Sequence, residues 1–546
     1  MLHFAARRFS NTGLPPRAAA SRPGTAVLVG AILALALGLR LWGLSWGLPW
    51  AFHFDEAVNY VQRAERMVRS GDLDPRYFQN PSLFTYLIAG ELALSRRIGP
   101  LSGPFSAREV GSANLWARLD SALMGTASVA VLFALGGELY GRGVGLFGAL
   151  LLAASFLHVR DSHYGTNDVP SIALLLLSLY FQARLIRRPG RSWYVLAGLA
   201  GGLATSTKYS MGFFFVSLLV AHWLRKRPSG CRAWDDAGLV ALAGLSGLAG
   251  YLIGTPYTVL DFARFWPGFL NQYHLGDQAW YGQSPEPIAL LYLTTLLHGL
   301  GALPLALGLV GLGLAWRARP AQTVFLLAFP VVYLSFLMPK PLFFARFTLP
   351  LVPVLCLLAA LTAVKIAGKV RAAWRPGIVA ALAAALVAQS IANDLAHSRL
   401  LLQTDTRVLA SQWVQNNLPR GSRVWVEDWA VYDVSGRSYT PRAAELRLQR
   451  FEDAVGIEDA RYFTARDAQY VVTSSFPEES LPQEWGLQRA HHVLAEQAKL
   501  AARFGPGLGG RDVPFSVENM NTPFWSLQQY ERPGPTVEVY WLTNNP

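Results

Sequence analysis

Phe52-His53-Phe54-Asp55-Glu56-Ala57 follows the first long apolar segment of this 546-residue chain and places two carboxylates directly beside it. A second acidic cluster, from Arg160 to Asp168, follows a later apolar segment. A charge beside a membrane span loses solvation, so a carboxylate there is either solvated at the headgroup level or held for chemistry. The two clusters are therefore expected to share one membrane face.

The composition predicts a multi-span membrane protein. Hydrophobic residues make up 52% of the chain and charged residues 15%, which is too apolar for a soluble enzyme of this length. The formal net charge of +13 comes from short basic tracts between apolar runs, the pattern of the positive-inside bias, so nucleic acid is not an expected partner. Cys231 and Cys356 lie at different depths, and neither a disulfide nor a thiolate metal site is expected.

The apolar runs predict about eleven transmembrane helices. They lie near residues 25–48, 113–139, 143–159, 168–186, 193–207, 209–224, 237–255, 287–316, 321–338, 347–364 and 376–395. The first is expected to be a retained span and not a cleaved signal peptide, because it continues into interfacial tryptophans without a small-residue cleavage site. Basic linkers on alternate turns, such as 225–227 and 365–375, are expected to be cytoplasmic.

This topology divides the chain into three parts. Residues 1–24 form a cytoplasmic tail, 25–395 a transmembrane domain with a long first outer loop at 49–112, and 396–546 an extracytoplasmic soluble α/β domain. In the last part, polar residues return and short β-like runs appear at 423–426, 470–473 and 537–541. Thr406 to Asn417 is predicted to be a helix, since Leu418-Pro419-Arg420-Gly421 supplies a stop signal.

Five motifs in this order resemble those of the GT-C superfamily of membrane glycosyltransferases, in the branch of the protein O-mannosyltransferases and the bacterial aminoarabinose transferases of lipid A. They are Phe54-Asp55-Glu56, Asn80-Pro81-Ser82-Leu83, the stretch Arg160-Asp161-Ser162-His163-Tyr164-Gly165-Thr166-Asn167-Asp168, the Gly-rich span from Gly198 to Lys208-Tyr209, and Arg346-Phe347-Thr348-Leu349-Pro350-Leu351-Val352-Pro353. The resemblance covers about the first 395 residues. It implies a GT-C-like fold and transfer of a sugar from a polyprenyl-phosphate donor to a lipid, glycan or protein acceptor at the outer face of the inner membrane, with anomeric inversion.

The resemblance also implies site residues. It places the catalytic aspartate, the general base for the acceptor, at Asp55, and Glu56, Asp161 and Asp168 complete the predicted catalytic set. Three of the four have a structural alternative. Asp55 could cap a helix that starts at Glu56 or Ala57, Glu56 could favour a helix N-terminus, and Asp168 could be the N-cap that opens the span following it.

A lipid phosphate needs cations on the outer side, where the positive-inside bias predicts few. Lys208, Lys340 and Arg346 are exceptions and form the predicted donor-phosphate set, with Arg346 preferred because a guanidinium can hold phosphate oxygens bidentately. Their alternative role is snorkelling to ordinary lipid headgroups. Aromatic and polar residues of the outer segment 256–286 could stack on a sugar or form an interfacial belt: Tyr257, Tyr273, His274, Asp277, Trp280 and Tyr281.

Other functions remain open from the sequence. His163 with the carboxylates could hold a divalent metal, but the ligand spacing does not indicate one, so no metal ligand is assigned. A lipid-linked glycan transporter or flippase would place charges and broken helices at the membrane midplane. An oligosaccharide ligase would share the topology and differ in the length of its donor.

Overall fold

The computed structural model describes residues 23–98, 107–225, 233–280, 283–427, 430, 447–451, 460–476, 487–514 and 516–542. Within these ranges a helical bundle is followed by a small mixed sheet. Residues 1–22 of the predicted tail, Cys231 and Tyr281 lie outside the described residues.

The bundle is built from seventeen α-helices in the described part of the chain, several of them extended by 3-10 or π-helical turns. They are α1 (Pro23–Leu41), α2 (Gln62–Ser70), α3 (Leu83–Ile98), α4 (Ala107–Leu139), α5 (Arg142–Ala153), α6 (Phe156–Asp161), α7 (Asp168–Arg187), α8 (Arg191–Thr205), α9 (Phe214–Leu224), α10 (Ala233–Gly254), α11 (Tyr257–Leu260), α12 (Phe262–Leu275), α13 (Ile288–Gly299), α14 (Ala302–Ala318), α15 (Pro320–Leu337), α16 (Val352–Lys369) and α17 (Arg375–Leu401). A π-helical turn, Asp55–Val61, leads into α2, and 3-10 turns at Tyr209–Phe213 and Ala345–Leu351 lead into α9 and α16.

Seven helical segments among the described residues are long and apolar enough to cross a membrane, or eight if one bent pair is a single span. Each of the seven coincides with a predicted span. The remaining predictions fall on shorter helices, α5, α8 and α9, or on the bent pair α13–α14. A multi-pass membrane protein is thus confirmed, whereas the predicted number of about eleven crossings is not.

The bend between α13 and α14 has a local cause. The two helices meet at 113°, so the predicted span 287–316 is bent near its middle and is not one continuous helix. Gly301 at the break has φ +103°, a backbone conformation that glycine adopts without steric cost. The side chain of Gln389 on α17 stabilises the break, because its Oε1 accepts the Ala302 N–H at 3.0 Å.

The C-terminal part forms a five-stranded sheet in the order β2-β1-β3-β5-β4. The strands are β1 (Arg423–Glu427), β2 (Arg447–Phe451), β3 (Tyr470–Ser474), β4 (Lys499–Phe504) and β5 (Val537–Trp541). β1 pairs in parallel with β2 and β3, whereas β5 is antiparallel to β3 and β4. The sheet confirms the three predicted strands and adds β2 and β4.

Helices cover both faces of this sheet. Thr406–Asn417, here α18, has the predicted bounds and packs its Ala410 and Val414 with Val424 and Val426 of β1. Because side chains alternate along a strand, Trp425 points to the opposite face. There it packs with two further helices of the described region, α19 (Arg461–Thr464) and α20 (Leu487–Gln497). The α/β character predicted for this part of the chain is therefore present.

Candidate active site

The two acidic residues that follow α1 take different directions. Glu56 is completely buried and accepts hydrogen bonds from Arg118 Nε, at 3.0 Å to each carboxylate oxygen, and from the Gly165 N–H at 2.9 Å. Arg118 also donates to the carbonyls of Leu44 and Trp46, at 3.0 and 2.7 Å. Glu56 therefore ties the Asp55–Val61 turn to α4 and to the loop before α7.

Asp55 turns instead into a cavity of about 420 Å³. Its Oδ1 accepts a hydrogen bond from Asn59 Nδ2 at 2.8 Å, and its Oδ2 lies 3.1 Å from Arg346 Nη2. The capping alternative is wrong, because the helical turn begins at Asp55 itself and its N-cap is Phe54. The side chain is 30% exposed, so its carboxylate can be reached from the cavity.

Arg346 connects Asp55 to a second carboxylate. Its Nε lies 3.8 Å from Asp168 Oδ2, and Asp168 Oδ1 is paired with the ammonium of Lys208. Asp168 is the first residue of α7, and the N-cap of that helix is Asn167. Asp168 is therefore not the cap. Asp55, Arg346, Asp168 and Lys208 thus alternate in sign along one wall, and we refer to them as the charge array.

Aromatic rings hold both cations of the charge array. The guanidinium of Arg346 lies 4.1 Å from the centroid of Phe344, and the Lys208 ammonium lies 5.5 Å from that of Phe347. Such cation–π contacts orient a charge without supplying a counterion. The predicted motif that begins at Arg346 therefore provides two parts of the site: the guanidinium of Arg346 and the ring of Phe347, which positions Lys208.

Asp161 lies on a second wall of the same cavity, beside Arg160 and Glu518. Arg160 Nη1 lies 3.6 Å from Asp161 Oδ2 and 3.6 Å from Glu518 Oε2. Burial raises the pKa of Asp161 to about 7, although the positive charge of Arg160 opposes this shift. Asp161 can therefore exchange a proton near neutral pH, in contrast to an ordinary aspartate.

Two predicted site residues are placed away from this cavity. Glu56 is engaged with Arg118, as described above, and does not line it. Lys340 pairs with Asp277, and its ammonium lies 3.8 Å from the ring centroid of Tyr273. The hydrogen bond from Lys340 is the main cause that lowers the pKa of Asp277. Neither Glu56 nor Lys340 is thus positioned to touch a ligand in the cavity.

The structure does not bring His163 together with the carboxylates. Its Nδ1 and Nε2 face the backbone carbonyls of Val159 and Trp42, at 2.9 and 3.1 Å. Desolvation lowers the pKa of His163 to about 4, so the ring is neutral at physiological pH. The described residues contain no group of three or more His, Cys, Asp or Glu side chains that could hold a metal ion.

Polar groups to which the sequence analysis assigned no role complete the lining. Side-chain carboxamides and phenols are prominent among them: Asn59, Tyr60, Tyr77, Gln79, Asn80, Tyr164, Asn167, Gln272 and Asn521. Of the described members of the predicted aromatic patch, Trp280 lines the cavity. Amides and phenols can donate to and accept from hydroxyl groups, so this surface is suited to a polyhydroxylated ligand. The volume lies within the range of about 300–1,000 Å³ common for small-molecule sites.

Residues 106–252 match a family model described as dolichyl-phosphate-mannose-protein mannosyltransferase. Apo ArnT from Cupriavidus metallidurans is similar in structure, with a TM-score of 0.55 at 17% identity over 94% of this chain and 98% of ArnT. ArnT from the same organism bound to undecaprenyl phosphate gives 0.52 at 16% identity over 95% and 98%. The apo oligosaccharyltransferase of Archaeoglobus fulgidus gives 0.53 at 12% identity over 90% and 75%. A search of curated protein sequences found no match.

This chain has the GT-C fold. The predicted fold class is therefore confirmed, and the family match together with the fold supports the predicted class of enzyme, a glycosyltransferase. The segment that matches the family model contains Asp161, Asp168 and Lys208. Asp55 and Arg346 lie outside that segment, and the charge array joins them to it.

Proposed function

We propose that this GT-C protein transfers one sugar from a polyprenyl-phosphate donor to an acceptor on the extracytoplasmic face of a bacterial inner membrane. The observation that carries the proposal is the charge array, because a carboxylate for an acceptor proton and two cations for a phosphate share one cavity wall. The undecaprenyl phosphate in ArnT and the dolichol phosphate in the Archaeoglobus fulgidus oligosaccharyltransferase support the donor class.

In the proposed reaction, Asp55 removes the proton from the acceptor while the acceptor atom forms a bond to the anomeric carbon. The bond between that carbon and the phosphate oxygen breaks, and its electron pair leaves with the polyprenyl phosphate. Arg346 and Lys208 stabilise the negative charge that grows on the phosphate. A single displacement of this kind inverts the anomeric centre, and Asp55 afterwards releases its proton to water.

The remaining acids have different parts in this proposal. Asp168 lies between the two cations and holds both toward the cavity. Asp161, whose pKa is raised to about 7, is suited to hydrogen bonding with a sugar hydroxyl in its protonated form. Glu56 fixes the turn that carries Asp55, so we assign it to positioning and not to proton transfer.

The donor and Asp55 compete for one cation. In this structure the Arg346 guanidinium is paired with the carboxylate that is proposed as the base. Binding of the donor phosphate to Arg346 would draw the guanidinium away and leave the Asp55 Oδ2 free to meet the acceptor, so we expect the donor to bind before the acceptor.

The competing function is a transporter, and two buried ionisable residues bear on it, Arg40 on α1 and Asp394 on α17. Arg40 lies one residue before the last residue of α1, and Asp394 lies seven residues before the last residue of α17. A transporter would instead carry its charges at the midplane.

The decisive experiment reconstitutes the purified chain in liposomes with radiolabelled polyprenyl-phosphate hexoses and pentoses. Transfer predicts loss of sugar from the lipid, and Asp55→Asn should lower the rate about 10²- to 10⁴-fold, the usual contribution of a general base. Donor movement across the bilayer without bond cleavage would support a flippase instead. Consumption of oligosaccharide donors in preference to monosaccharide donors would support a ligase. Mass spectrometry of surface glycans from a deletion strain would then identify the acceptor.

A further inference from the structure

Residues 516–530 pack into the helical bundle and not onto the sheet. The ring of Phe524 stacks on that of Phe156 of α6, with centroids 5.5 Å apart and planes 6° apart. Phe524, Leu527 and Tyr530 are buried in the hydrophobic core of the bundle. The C-terminal part of the chain is therefore anchored inside the membrane domain.

Polar contacts fix the conformation of this segment. Asn519 Oδ1 accepts the backbone N–H groups of Phe524 and Trp525, at 2.9 and 3.1 Å, which closes a compact loop. Thr522 Oγ1 lies 3.0 Å from His397 Nε2 and is also hydrogen-bonded to the Tyr164 hydroxyl. These contacts hold the loop from Asn519 to Trp525 in place, and Glu518 directly precedes it.

Glu518 lies in the wall of the cavity. Its side chain is 6% exposed, and its Oε1 accepts the backbone N–H of Ala345 at 2.8 Å. Ala345 directly precedes Arg346 and begins the 3-10 turn that carries it. On the other side, Arg160 Nη2 donates to the Glu518 carbonyl at 2.7 Å, while Oε2 lies 3.6 Å from Arg160 Nη1.

We propose that Glu518, supplied by the C-terminal part of the chain, is a positioning residue for the donor phosphate. It acts through the backbone of Ala345, which sets where the Arg346 guanidinium lies, while its contacts with Arg160 hold Glu518 itself in place. The proposal rests on the proposed function, since it needs Arg346 to be a phosphate ligand. If Glu518 has this positioning role, residues 516–530 belong to the catalytic unit.

A double-mutant cycle on undecaprenyl phosphate affinity tests this coupling. Glu518→Ala should weaken binding about tenfold, comparable to the loss of one hydrogen bond to a charged group. Glu518→Gln keeps an oxygen acceptor for the Ala345 N–H and should weaken binding less than about threefold. Because Glu518 acts through Arg346, the variant Glu518→Ala/Arg346→Ala should bind no more weakly than Arg346→Ala. Glu531→Ala, with a side chain that is 45% exposed, is the matched control and should bind as the wild type does.

The outcomes separate this proposal from the one on which it rests. Multiplicative losses in the double variant, or equal losses in Glu518→Ala and Glu531→Ala, would overturn the positioning role. Unchanged affinity in a folded Arg346→Ala protein would overturn the donor site itself. If Glu518→Ala does not fold, Ala345→Pro removes the same hydrogen bond by deleting the Ala345 N–H. Proline lacks an N–H and is accepted at the first helical position. The same criteria then apply to that variant.

Discussion

Replacement of Arg346 by alanine tests the central feature of the site, the pairing of a cation with both the proposed base and the donor. In the free protein its Nη2 lies 3.1 Å from Asp55 Oδ2, a separation at which two unit charges attract by ~5 kcal/mol at an effective dielectric constant of about 20. A phosphate oxygen at a similar distance would gain a similar attraction. The exchange of Asp55 for phosphate is therefore nearly balanced in Coulomb energy.

The net contribution of Arg346 to donor affinity is then set by the hydrogen bonds that it adds. Hydrogen bonds to charged groups contribute about 1.5–3 kcal/mol, which corresponds to a loss of affinity of roughly 10- to 150-fold in Arg346→Ala. The assay is equilibrium binding of undecaprenyl phosphate to the protein in lipid nanodiscs. Acceptor affinity, measured separately, should change less, because the proposed partner of Arg346 is the phosphate.

Lys340→Ala is the matched control, since Lys340 was predicted from the sequence as a phosphate ligand but pairs with Asp277 outside the cavity. We expect its affinity for undecaprenyl phosphate to stay within about twofold of wild type, well below 1 kcal/mol. If Lys340→Ala lost affinity while Arg346→Ala retained it, the assignment of the phosphate site to the charge array would be wrong.

Three further predictions follow from neighbouring residues. Asp55→Asn should bind undecaprenyl phosphate as well as wild type or more tightly, because it removes the competitor for Arg346; weaker binding in a folded variant would contradict that competition. Glu56→Gln should lower the free energy of unfolding by about 3–5 kcal/mol by leaving Arg118 buried and unbalanced, a loss that thermal unfolding would reveal and that Asp55→Asn should not share. The pKa of Asp161 is raised in the folded state to about 7, so the unfolded chain holds fewer protons between roughly pH 4 and 7, and stability should fall as pH rises through that interval. Asp161→Asn should flatten this dependence, and equal pH slopes in the two proteins would refute it.

The structure brings together four residues that the sequence analysis had singled out, and a physical rule explains why. A charged side chain beside a membrane span must avoid lipid, so Asp55, Asp168, Lys208 and Arg346 had to face a polar space if they lay at the same membrane face. Lys340 met the same condition but had a second partner in Asp277, which the sequence does not reveal. The rule thus predicts a polar environment and not the identity of the partner.

Glu56 and Glu518 show where sequence reasoning stops. Glu56 adjoins Asp55, yet helical geometry turns it away toward Arg118, and that contact joins positions far apart in the chain. Glu518 reaches the site through the packing of Phe524 into the bundle, which a local pattern cannot indicate. Both depend on tertiary contacts between distant segments.

The five strands of the sheet also divide into those that the sequence predicted and those that it did not. The three predicted strands, β1, β3 and β5, are the central ones, and the two that were missed, β2 and β4, are its edges. Central strands are apolar on both faces, as Val471-Val472 illustrates, and give a strong pattern. Edge strands carry charged residues that discourage further pairing, here Arg447, Arg450, Lys499 and Arg503, so their pattern is weak.

The alternating signs of the charge array link proton transfer to bond cleavage in the proposed reaction. When Asp55 accepts the acceptor proton it becomes neutral and can no longer draw Arg346 back, at the moment when negative charge grows on the departing phosphate. Arg346 can then interact fully with the phosphate, while Asp168 keeps Lys208 in place beside it. The cations therefore bind the transition state more strongly than the ground state, which is the condition for lowering the barrier and not merely for tightening substrate binding.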